Sequence, residues 1–133
     1  MVSIFLAMAA HVVLSGALYG LLTIARAPEV WSIGQRADGS NPFAEIEPRI
    51  SANLSNQFEW PLFFHLACLL LLLLPDAVTA ASIILAWTFM VGRVLHSVVH
   101  IFTSNVRLRG VVFTINFLAV FGLWWQVLVA IVG

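Results

Sequence analysis

The chain has 133 residues, 62% hydrophobic and only 9% charged, with six basic and six acidic side chains that cancel. A soluble domain carries about 25% charged residues, so the composition excludes an ordinary soluble fold, and zero net charge leaves no basic footprint for nucleic acid. The single cysteine, Cys68, excludes an internal disulfide and a multi-cysteine metal site, and its place in "HLACLLLLLL" marks an inert buried thiol.

Apolar runs fall at about 2–25, 58–74, 77–102 and 111–132. Each reaches the roughly 20 residues of a membrane-crossing helix, the second only by using its polar approach. The first lacks a basic leader and is too long for a signal-peptide core, so it reads as a retained helix. Its Gly16-x-x-x-Gly20 spacing fits close helix packing.

All six basic residues are arginines. Arg26, Arg36 and Arg49 border or lie in the first connection, and Arg107 and Arg109 follow the third run. The positive-inside rule puts those two connections in the cytoplasm and both termini outside. The loop at about 27–47, with Pro28, Pro42, Gly34 and Gly39, is irregular. Pro48 suits the first position of a helix that runs on to Leu74, with a kink at Pro61. Pro75–Asp76 closes a tight turn in which Asp76 caps the third span, and Ser104–Asn105 caps the fourth. The expected fold is all-α and integral to the membrane: an antiparallel four-helix transmembrane bundle, one domain over residues 1–133.

Charges inside spans are costly and face protein, ligand or water. Counting back from the Pro75–Asp76 turn at about 1.5 Å per residue places Glu59 and Arg93 both roughly 23–26 Å down. Asn56 and His96 then share a level at roughly 28–30 Å by the same rise. Arg93, His96 and His100 form one stripe, and Asn56 and Glu59 another. With the positive end of the fourth helix and Arg107 and Arg109 nearby, this predicts a cytoplasm-facing anion site of Asn56, Glu59, Arg93 and His96. A purely structural Glu59–Arg93 ion pair is the plainer alternative. His96-x-x-x-His100 has the spacing of two metal or haem ligands, but "HSVVH" lacks the Glu of H-E-x-x-H, so no metal is expected. His11 and His65 read as hydrogen-bonded packing residues.

Asn56-x-x-Glu59 and "VGRVLHSVVH…VRLRG" resemble the membrane-associated proteins in eicosanoid and glutathione metabolism (MAPEG), and "NQFEWPLFF" is most similar to the family's bacterial members. The resemblance covers essentially the whole chain. It implies a homotrimer in a bacterial inner membrane, with glutathione as co-substrate and lipid and a lipophilic substrate as further partners. The implied activity is that of a transferase or peroxidase acting on lipophilic electrophiles. Asn56, Glu59, Arg93, His96 and His100 match or lie at glutathione-site positions, as does Arg26. Arg109 matches the arginine that stabilises the thiolate. Gly110 and Phe113 stand where eukaryotic members often have Ser and Tyr, and His100 replaces another tyrosine. The alternative is a non-catalytic membrane protein that uses the same fold for binding or assembly.

Overall fold

The computed structural model describes residues 1–133 and is all-helical. There are five helices: α1 (Val2–Trp31), α2 (Glu47–Ser55), α3 (Pro61–Leu73), α4 (Ala80–Phe102) and α5 (Val106–Val132). α1, α4 and α5 are long and apolar enough to cross a membrane. α3 has 13 residues, about 20 Å at 1.5 Å per residue, and falls short of the roughly 30 Å hydrocarbon core.

Three boundaries differ from expectation. α1 does not stop near Ala25 but continues through Pro28 to Trp31, ending where Ser32 turns left-handed at φ 56°. Loop side chains satisfy carbonyls at this end: Asn41 Nδ2 donates to Ala25 O at 3.0 Å and Gln35 Nε2 to Pro28 O at 2.8 Å. Asp76 is not a cap; it sits at φ 54° in the turn. Thr79 takes that role instead, in a reciprocal capping box with Ser82. Asn105 caps α5 as expected, its Oδ1 accepting from Leu108 N–H at 3.0 Å.

The third difference matters most for function. The helix expected from Pro48 to Leu74 is broken over residues 56–60. Pro48 and Pro61 each open a helix, α2 and α3. Pro61 has no N–H to continue the ladder, and the break brings Asn56 and Gln57 against α4. Gly16 and Gly20 also differ: a methyl group added at either meets nothing within 4 Å, so no helix of this chain packs there.

Two apolar clusters form the core. One joins Ile4, Phe64, Leu71, Phe89, Leu123 and their neighbours, with Phe64 and Phe89 stacked at 4.1 Å. The other joins Leu18, Leu22, Ala25, Ile50, Leu54 and Ile101. Between them along α1 and α4 lie the buried His11, Ser15, Arg93, His96 and Ser97, of which His11, Arg93 and Ser97 hydrogen-bond Gln57 just beyond α2. A polar layer divides the protein.

Candidate functional site

Arg93 is wholly buried on α4. Its Nε donates to Gln57 Oε1 at 3.1 Å and its Nη2 to the Asn56 carbonyl at 2.9 Å. In an unbroken helix that carbonyl would accept from the N–H four residues on; here the guanidinium replaces the missing donor. The expected Glu59–Arg93 pair is not formed. Glu59 is exposed, and the chain's one ion pair is Arg26–Glu47. Glu59 stays beyond ion-pair distance, and the direct partners of Arg93 are a neutral amide and a backbone carbonyl.

Gln57, which the sequence reading passed over, is the hub. Its Oε1 also lies 3.1 Å from His11 Nε2, while its Nε2 donates to Asn53 Oδ1 and Ser97 Oγ, each at 3.2 Å. His11 Nδ1 in turn meets His65 Nε2 at 3.0 Å. The expectation that both histidines are hydrogen-bonded packing residues holds, with the addition that they bond each other. The signal available in the sequence was Gln57 four residues before Pro61: a break there leaves an amide beside free carbonyls.

Asn56, His96, His100 and Arg109 come together. With Val106, Gly110 and Phe113 they line a cavity of ≈ 340 Å³ between α4, the break and the first turns of α5. The His96 and His100 rings meet edge-on at 5.6 Å, and the Nδ1 of each is buried without a hydrogen-bond partner. Arg109 is half-buried and makes no side-chain hydrogen bond or ion pair within the chain. It stands one turn beyond the Asn105 cap, so its charge adds to the positive end of α5. An arginine there is favourable when an anion shares the site.

The remaining expected residues lie elsewhere. Arg93 backs the cavity through Asn56 without lining it. Arg26 is engaged between helices, its Nε 2.6 Å from Glu47 Oε1 and its Nη2 3.2 Å from Ser51 Oγ. Phe113 closes one wall with its ring 6.2 Å from His96, and Gly110 leaves another open, so no hydroxyl reaches the cavity from either position.

The family model described as "MAPEG family" matches residues 4–129. Nothing matches among the curated proteins or the solved structures.

Proposed function

Because the chain belongs to the MAPEG family and is an integral membrane protein, we propose that it binds an anionic thiol, glutathione or a close equivalent, in the Asn56–His96–His100–Arg109 cavity. It would present the thiolate to lipophilic electrophiles arriving from the bilayer. The observation that carries this reading is Arg109: a guanidinium on a polar cavity wall, at a helix N-terminus, with no partner in its own chain. A nearby cation holds a thiol in its thiolate form, which is the nucleophile. The sulfur forms a carbon–sulfur bond to the electrophilic carbon, and a leaving group departs with its electron pair. His96 and His100 supply ring nitrogens to the ligand's polar groups. Glu59, exposed beside the break, is available to its ammonium.

In this reading α2 and α3 act together as one crossing, so that the subunit is an antiparallel four-crossing bundle. Three copies assemble in a bacterial inner membrane with the 32–46 loop and the α4–α5 turn in the cytoplasm. The large apolar side chains exposed along α1 and α5, among them Phe5, Val13, Phe121 and Trp125, face lipid or neighbouring subunits.

The test titrates glutathione into the detergent-solubilised protein while ultraviolet thiolate absorbance and melting temperature are followed. Thiolate absorbance should appear and melting should rise. Both responses should vanish in Arg109→Ala, whose own unfolding free energy stays within about 0.5 kcal/mol of wild type because Arg109 holds nothing internally. Unchanged melting and no thiolate signal at millimolar glutathione would overturn the reading. A stable trimer under those conditions would leave the fold a binding or assembly role.

A further inference from the structure

The histidine pair that the thiol reading does not use faces a second cavity, of ≈ 360 Å³, between α1 and the start of α3. His11, Ser15, Gly16, Tyr19, Gln57 and His65 line it, with apolar side chains completing the wall. Proton positions along the network follow from one fixed point. Arginine has donors only, so the Gln57 atom 3.1 Å from Arg93 Nε is its oxygen. His11 Nε2 meets the same oxygen and therefore carries a proton. In the neutral ring His11 Nδ1 is then an acceptor, so His65 Nε2, 3.0 Å away, must donate to it. That leaves His65 Nδ1 as a lone pair. It has no partner in the chain and is not among the buried unpartnered atoms.

We propose that this cavity is a binding site for an apolar molecule bearing a hydroxyl group, such as an alkylphenol, a quinol or a long-chain alcohol, whose O–H donates to His65 Nδ1. The surroundings select for it. α3 is apolar apart from His65, and lipid tails offer no donor, so an open acceptor at this level is satisfied by a ligand hydroxyl or water. The apolar wall of Val12, Phe58 and Leu62 takes the hydrocarbon part. The Tyr19 hydroxyl, which has no partner in the chain, adds a group able to donate back to the ligand oxygen. The site stands apart from the thiol cavity and does not depend on it.

The test compares a para-alkylphenol with its methyl ether by calorimetric titration of the full-length protein in nanodiscs. The phenol should bind about three- to tenfold tighter, the worth of one net hydrogen bond, and His65→Phe should erase the difference without altering glutathione affinity. Gly16→Leu should abolish binding of both, since a Cβ there meets nothing and the side chain can enter the cavity. On histidine-labelled protein, the unprotonated His65 nitrogen resonance should move with the phenol and not with the ether, a readout independent of any variant. Equal binding of phenol and ether, binding of neither, or discrimination that survives in His65→Phe would overturn the proposal.

Discussion

Arg93 carries its charge into a wholly buried position, and its hydrogen-bond partners are neutral. A buried charge is tolerated only where its donors are met, which makes Gln57 the residue whose loss is felt most. Gln57→Leu deprives Arg93 Nε and His11 Nε2 of their shared acceptor and Asn53 and Ser97 of a donor. Hydrogen bonds to charged groups contribute about 1.5–3 kcal/mol each, so the variant should unfold about 2–3 kcal/mol more easily. Combined with Arg93→Leu the loss should be less than the sum of the two singles, because removing the charge removes the need for its acceptor. Denaturation of the purified protein in mixed micelles measures both. A Gln57→Leu protein as stable as wild type would show that the network holds nothing.

Helix ends show where the residue pattern carries structural information and where it does not. Asn105 was legible as a cap because a short amide side chain just ahead of the last helical stretch can accept from the free N–H groups of its first turn. Asp76 fitted the same rule, yet Thr79 won, because Thr79 and Ser82 satisfy two orphan N–H groups reciprocally. The 56–60 break was half legible. Pro61 announced an interruption, but its depth depended on Arg93 arriving from α4 to take the Asn56 carbonyl, which local sequence does not contain. α2 is held to α1 by Arg26, whose partners are Glu47 and Ser51. With side chains 47% and 18% exposed, the Arg26–Glu47 pair is partly screened. A double-mutant cycle with Arg26→Gln and Glu47→Gln should therefore return a coupling of about 0.2–1 kcal/mol. If Arg26 acts on the structure alone, Arg26→Gln and Glu47→Gln change glutathione affinity alike. A loss confined to Arg26→Gln would place it at the ligand.

At the scale of the molecule, the apolar runs specified helices because a lone segment of about 20 apolar residues satisfies its own backbone groups in lipid only as a helix. Of the candidate cavity, sequence spacing brought Asn56 and His96 to one level, the family resemblance pointed to His100 and Arg109, and the structure places all four around a common space. Its limit was chemical: a charge-based reading sought a carboxylate for Arg93 and found Glu59, whereas the partner was an uncharged amide one helix break away. Side-chain charge can be counted along a chain; a carbonyl released by a break cannot. The arginine distribution, read through the positive-inside rule, yields a last prediction. Both cysteine probes on the arginine-rich side, Ala37→Cys in the loop and Ser104→Cys in the α4–α5 turn, are exposed, as is Gly133→Cys at the opposite end of α5. The native thiol at Cys68 is fully buried and silent toward aqueous maleimide. In intact spheroplasts an impermeant maleimide should label Gly133→Cys and spare the other two, and inverted vesicles should reverse the pattern. Labelling of Ala37→Cys from outside would invert the orientation and put the Arg109 cavity on the side away from cytoplasmic glutathione, in direct conflict with the thiol chemistry proposed for it.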